Sequence, residues 1–360
     1  VKFHRSKLLN NQIPSELEKF FTEELTNYLV IKDGHIIKNH VKDNNIFIEN
    51  IEDTIANKPE IFSQNPFLTK YKSEAYQYNL DEVNSGVFIE VGKNKVIKDT
   101  LHVFYVQENN DLVNNTLIIL GENSELSYFE YLINMTDSSI NFVSNSIVSE
   151  NAKLVYSGLS NLNSKAIVSV NRNSYVKRYG NSLYSIAEVN DGITESNTFI
   201  ELQDVYAVGT SKTVAITSNE QEMKIRQLIE HNAPDTEGYI ENYGVSNNSS
   251  FLVFEGVGKI NKDMKRSTAR QSNRGIVLGK TSRLDANPLL LIDEYDVVAS
   301  HGAAIGKMDE EQLYYLMSRG LTLKNAEKLI ISGFLSPVTE LLSTKELIED
   351  FVKSVEKKTL

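Results

Sequence analysis

The chain has no cysteine among its 360 residues. Disulfides, thiolate nucleophiles and any cysteine-ligated zinc or iron–sulfur site are therefore excluded from this chain itself. A net basic balance is missing too. The formal charge is −11 and the pI is near 5.2, which argues against a protein that coats nucleic acid by neutralising phosphates. No apolar run approaches the roughly 20 residues of a membrane span. The N-terminal "VKFHRSKLLNNQIP" is basic but lacks the apolar centre of a signal peptide, so the expected location is cytoplasmic, with neither nucleic acid nor membrane as a partner.

Familiar catalytic signatures are also scarce. His4, His35, His40, His102, His231 and His301 include no His-x-x-x-His pair or comparable metal spacing, and no Gly-x-Ser-x-Gly nucleophile turn occurs. The tempting "RGIVLGKTS" ends like a phosphate-binding loop. It fails on spacing, because three residues rather than four separate Gly275 from Gly279, and "GIVLG" reads as a strand entering a turn.

What is present describes a globular chain, 41% hydrophobic and 24% charged, long enough to bury a large core. Three textures follow one another. In "IPSELEKFFTEELTNYLV", Leu17, Phe20, Phe21, Leu25, Tyr28 and Leu29 recur at helical spacing behind Pro14, which predicts an amphipathic helix; a further helix is possible around "PFLTKYKSEAYQYNL". From "NSGVFIEV" to about residue 306 the chain reads as short strands punctuated by Asn, Ser, Asp and Gly, with "NEQEMKIRQLIEH" taken as strand. So many short strands need an architecture that hides their edges. "ENSELSY" from residue 122 and "ENAKLVY" from residue 150 share a turn-Leu-x-Tyr pattern. That spacing suits one coil of a solenoid and predicts Leu126 and Leu154 inward at equivalent places, although a sandwich or propeller stays open on this basis.

The C-terminal texture is helical. Asp309 with Gln312 marks a capped start, Leu313, Leu316 and Met317 form a stripe, and Gly320 is a natural stop. A second helix is expected from Thr322 to Gly333, and a third from "SPVTELL", with Ser336 as cap and Pro337 in the first turn. Between these textures, Lys259, Lys262, Lys265, Arg266, Arg270 and Arg274 face a single Asp263, which reads as a solvated face or a partner contact more readily than as a phosphate strip. His301, in "ASHGAAIG", stands at a strand end beside Gly302 and Gly306. On residue type alone, such a histidine is more often structural than functional.

The run "DEYDVVASHGAAIGKMDEEQLYYLMSRGLTLKNAEKLIISGFL", with the upstream "RQSNRGIVLGKTSRLDANPLLLI", resembles the C-terminal signature of the SufB/SufD family of iron–sulfur cluster assembly proteins. "SGVFIEVGKN" and "EHNAPDTEGYIENYGVSNNSSFLVFEGVGKI" resemble it more loosely, so the similarity spans roughly residues 80 to 335. With a histidine and no cysteine, the "SHGAAIG" turn looks like the SufD member. The resemblance implies a right-handed parallel β-helix over residues 84–307, between helical regions at 1–83 and 308–360. It implies a non-catalytic scaffold paired with a SufB-like paralogue, and a SufC-like ABC-type ATPase docking on the C-terminal helices, with Tyr314, Tyr315 and Arg319 as candidate contacts. It also implies a transient iron–sulfur cluster shared with a partner chain. His301 is then the candidate iron or cluster ligand, and a homodimer of the isolated chain is possible through the same surface. The alternatives are a β-helix polysaccharide-active enzyme working through rows of Asp and Glu, or a passive solenoid binding module.

Overall fold

The computed structural model describes residues 1–63, 73–163, 166–340 and 342–359. It is mainly β, with 49% strand, and forms a parallel solenoid of about seven turns with helices at both ends. One sheet contains β1 (Asn27–Lys32), β2 (His35–Val41), β5 (Leu101–Gln107), β7 (Glu125–Asn134), β9 (Lys153–Asn161), β11 (Asn181–Glu188), β13 (Val208–Thr217), β15 (Glu237–Ser246), β17 (Thr268–Val277) and β19 (Val298–Gly306). The other contains β3 (Ile46–Asn50), β4 (Val87–Val91), β6 (Leu112–Leu120), β8 (Ile140–Val148), β10 (Ile167–Val176), β12 (Ile193–Leu202), β14 (Glu222–His231), β16 (Phe251–Ile260) and β18 (Arg283–Ile292). From β4 onward the chain alternates between the sheets, and each strand lies parallel to the one laid down a coil earlier.

Register explains why the repeat was visible. Leu126 pairs with Leu154 and Tyr128 with Tyr156, all four buried in the lumen, and the stack continues from Tyr156 to Tyr184 with ring centroids 4.6 Å apart. Turns repeat as well. Asn94, Asn123 and Asn151 adopt φ of 61°, 57° and 57° at the same corner of successive coils, a left-handed conformation that asparagine tolerates better than most residues. Their amides form a ladder, with Asn123 Nδ2 donating to Asn94 Oδ1 and Asn151 Nδ2 to Asn123 Oδ1, each at 2.8 Å. The segment "NEQEMKIRQLIEH" contains β14, in line with its reading as strand.

The helices are α1 (Ser15–Glu18), α2 (Ile51–Asn57), α3 (Pro59–Ser63), α4 (Glu74–Glu82), α5 (Glu310–Ser318), α6 (Leu323–Thr339) and α7 (Lys345–Thr359). Two expectations need correction. The long helix expected after Pro14 is only α1, because Asn27–Lys32 is fully buried as β1, parallel to β5 and antiparallel to β2. Leu17, Phe20 and Leu25 still bury, but against Phe104 and Tyr131 on the outer face of the solenoid. Residues 1–83 thus supply three strands as well as helices. At the other end, α6 runs straight through Gly333 and Pro337 instead of stopping between them. Proline removes the amide that would bond the Gly333 carbonyl. Ser336 Oγ donates to that carbonyl instead, at 2.9 Å. Of the segment around "PFLTKYKSEAYQYNL", residues 64–72 lie outside the described residues and the remainder contains α4.

Two cores result. One fills the lumen between the sheets. The second lies on the outer face of the first sheet, where Ile331 and Leu335 of α6 and Leu347, Phe351 and Val355 of α7 cover Phe129, Leu159, Val214 and Ile216.

Candidate functional site

The two ends of the solenoid differ. At the N-terminal end β2 runs antiparallel on β1 and β3 antiparallel on β4, so each sheet ends there in an edge strand that is mostly half-buried. At the C-terminal end β18 and β19 are edge strands with one neighbour each. All nine residues of β19 are exposed, and Leu289, Leu291, Tyr295, Val298 and Ile305 leave large apolar side chains in solvent around the same end. Exposed apolar surface beside unpaired strand edges is the physical mark of a pairing surface.

His301 lies on this end. It pairs in register with Gln271 of β17, and because Ala269, Gln271 and Asn273 face the lumen, His301 continues that inward column where no further coil covers it. Its ring makes no hydrogen bond or ion pair among the described residues. Behind it, Gln271 reaches across to the second sheet, where Nε2 donates to the Leu289 carbonyl at 2.7 Å. Gly256 makes that reach possible, since a Cβ there would come within 2.6 Å of Gln271 Oε1. Gly302 and Gly306 have open space around them, which leaves room beside His301.

Tyr314, Tyr315 and Arg319 occupy a separate element. Helix α5 is capped by Asp309, whose Oδ1 accepts from Glu311 N at 2.9 Å and Gln312 N at 3.3 Å. It buries no residue: Tyr314 is 77% exposed and Tyr315 56%. Arg319 places its guanidinium 5.3 Å from the Tyr315 ring centre. The structure therefore leaves His301 on the open end and the aromatic residues on a projecting helix, and does not join them into one site.

Sequence reasoning missed the residues behind and beside His301. Gln271 was legible only through the period-2 alternation of β17, and Arg270 and Arg274 were seen as a charge run without their common face. It also missed a fully buried cluster in the lumen. There Arg172 Nε donates to Glu130 Oε1 at 2.7 Å, and Nη1 to Glu188 Oε1 at 3.1 Å. Burial pushes the Glu130 carboxyl up from its ordinary value, against the pull of Arg172. Among the described residues, no group of three or more histidines and carboxylates is placed to hold a metal ion, and no helix is long and apolar enough to cross a membrane. The failed phosphate loop is a strand end: β17 finishes at Val277 and β18 follows, with no helix after Lys280.

Residues 103–334 match the family described as SUF system FeS cluster assembly, SufBD core domain. The chain is 36% identical over 282 residues to the iron-sulfur cluster assembly protein SufD of Bacillus subtilis (strain 168), a match covering 77% of this chain and 64% of that protein. It is 26% identical over 271 residues to an iron-sulfur cluster assembly SufBD family protein of Staphylococcus epidermidis, covering 74% of this chain and 58% of the relative. A Staphylococcus saprophyticus protein of the same family is 23% identical over 344 residues, 94% of this chain and 74% of the relative. In the first two matches the chain thus spans less than two thirds of the relative's length. With the family core matched across most of the solenoid, the chain belongs to the SufB/SufD family and is most like SufD.

Proposed function

We propose that this chain is a non-catalytic, SufD-like scaffold subunit of a cytoplasmic SufBCD-type complex that assembles iron–sulfur clusters and passes them to apoproteins. The observation that carries the reading is the asymmetry of the solenoid: one end finishes in antiparallel, mostly half-buried strands, the other in a fully exposed edge strand bearing His301 beside exposed apolar side chains. Clusters are held mainly by thiolates, and this chain has none. It contributes one imidazole, a good borderline ligand for iron, while a SufB-like paralogue across the open end contributes sulfur chemistry. The cluster is cargo, held transiently and shared.

In this reading residues 84–307 are the pairing body, 1–83 its cap and 308–360 the platform for a SufC-like ATPase. Tyr314, Tyr315 and Arg319 are the anchors, since exposed aromatic and arginine side chains dominate interface energetics. ATP hydrolysis resides in that partner. A homodimer of the isolated chain would use the same end. A polysaccharide-active enzyme fits less well. Among the carboxylates on the outer face of the second sheet, Glu255 is held by Arg226 at 2.9 Å and Glu230 by Lys259 at 2.9 Å, which removes them as an acid–base pair.

The test is to co-express this chain with its paralogue and the ATPase, purify the complex, and reconstitute it anaerobically. Wild type is expected to hold iron and sulfide. His301→Ala is expected to keep the same subunit ratio and melting temperature but to lose most of both. Unchanged cluster yield removes His301 from the mechanism, and failure of the wild-type chains to co-purify removes the complex.

A further inference from the structure

The basic stretch from Lys259 to Arg274 plays no part in the reading above, and the fold takes it apart. Lys259 is paired with Glu230 on the second sheet, and Arg266 is gripped by both carboxylate oxygens of Asp235, at 2.6 Å each, in a turn. Arg270 and Arg274 differ. They project from the outer face of β17, on either side of half-buried Ser272. Neither makes an ion pair or hydrogen bond among the described residues. The two carboxylates of the neighbouring strand are engaged elsewhere, Glu237 by the Tyr239 hydroxyl at 2.6 Å and Glu241 by Lys212 at 3.5 Å and the Tyr243 hydroxyl at 3.4 Å.

Register fixes what lies in front of these arginines. Arg270 pairs with Ser300, Ser272 with Gly302 and Arg274 with Ala304. Opposite the arginines and Ser272 the outward face of the edge strand is therefore serine, glycine and alanine, a low floor, with the bulkier Val298 one step beyond it opposite Thr268. A strand added to β19 would lie about 10 Å from β17, two sheet spacings away, and the two arginines stand about 13 Å apart along the strand. Extended arginine and glutamate side chains span that gap across so low a floor. In a second copy of this chain, the added strand would be "VASHGAAIG", which offers no carboxylate, and that copy's own arginines would bring like charge to the same edge.

We propose that Arg270 and Arg274 form a charge-selecting platform beside the open edge, which accepts a partner strand carrying carboxylates on its outward face and disfavours a second copy of this chain. This rests on the reading of the open end as a pairing surface. Charge complementarity of this kind chooses partners and register more than it adds affinity, and the repulsion of the wrong partner is half of the selection. It also gives an acidic chain, of net charge −11, a local means of receiving an acidic strand.

The test uses this chain as its own probe. One probe carries Arg270→Ser, Arg274→Ser, Ser300→Glu and Ala304→Glu, so that its edge strand presents two outward carboxylates without arginines of its own to bind them. The control carries Ser300→Lys and Ala304→Lys on the same Arg→Ser background. Each is titrated into fluorescently labelled wild type and followed by anisotropy, after circular dichroism confirms an unchanged fold. The acidic probe is expected to bind about tenfold or more tighter than the lysine probe at low salt, with the difference gone near about 1 M salt. Equal binding of the two probes overturns the platform but leaves the open end as a pairing surface. Binding of neither overturns both.

Discussion

Arg172 is a guanidinium with no access to solvent, held between Glu130 and Glu188, and Ser196 Oγ donates to the same Glu188 oxygen at 2.8 Å. Removing one member of such a cluster leaves uncompensated charge in a dry interior, which is far costlier than removing the whole cluster. Arg172→Met is therefore expected to lower unfolding stability by about 3–5 kcal/mol, and adding Glu130→Gln and Glu188→Gln to recover much of it, both read by urea denaturation. A loss below about 1 kcal/mol for the single variant contradicts the burial. His102 and His231 are buried too, and burial pushes both down to about 4. His102 Nδ1 faces the Thr100 carbonyl at 3.1 Å, which requires a donor, so Nε2 accepts from the Ser343 hydroxyl at 2.6 Å. That ring is neutral in the fold. Since the unfolded chain binds the proton near pH 6.5 and the folded chain only near 4, the stability is complete above about 6.5 and is lost as pH falls toward 4. The loss reaches on the order of 3 kcal/mol per histidine. A urea midpoint that stays level from pH 7 to 4.5 would be inconsistent with this, and His231→Gln should flatten the curve.

At the scale of elements, α7 is latched to the solenoid near its end. Lys358, though buried, donates to the Asn190 carbonyl at 2.5 Å and to Gln221 Oε1 at 2.9 Å, and lies 3.0 Å from Asp191. Lys358→Ala is expected to cost about 1–3 kcal/mol, and hydrogen exchange should quicken in α7 while the core strands stay protected. Equal quickening in β9 and β11 would mean that the latch supports the whole fold. Because α6 and α7 cover apolar residues of the first sheet, cutting the chain at residue 307 would expose that core and confuse docking with unfolding. The cleaner test of ATPase docking is Tyr314→Ala with Arg319→Glu on α5, which buries nothing. Binding to the ATPase is expected to weaken by about tenfold or more, as for interface anchors, at unchanged melting temperature. Unaltered affinity would move the docking surface elsewhere. Legibility divides along similar lines. Leu126 and Leu154 could be read because one local pattern falls twice on one register pair, and α5 because Asp309 and Gly320 bound it. The N-terminal helix was misread because its apolar spacing fits a helix, while the pairing of Asn27–Lys32 with distant β5 leaves no trace in local sequence. Likewise Ser336 looked like a cap, since nothing in the chain order shows that its hydroxyl would satisfy Gly333 and let α6 pass through Pro337.

At the scale of the molecule, a one-dimensional stack of coils has two ends, and this chain finishes one with antiparallel, mostly half-buried strands and the other with the fully exposed β19. Stacking alone explains the body of the solenoid. It does not explain why β19 ends in exposed residues with His301 on the lumen side. The proposal that a cluster is assembled there between two chains is tested most directly by pulsed EPR on the reduced, reconstituted complex, with 15N-histidine incorporated in this chain alone. The account predicts 15N hyperfine coupling to the cluster in wild type and its disappearance in His301→Ala. A reconstituted cluster with no nitrogen coupling from this chain, or with coupling that persists in the variant, contradicts it.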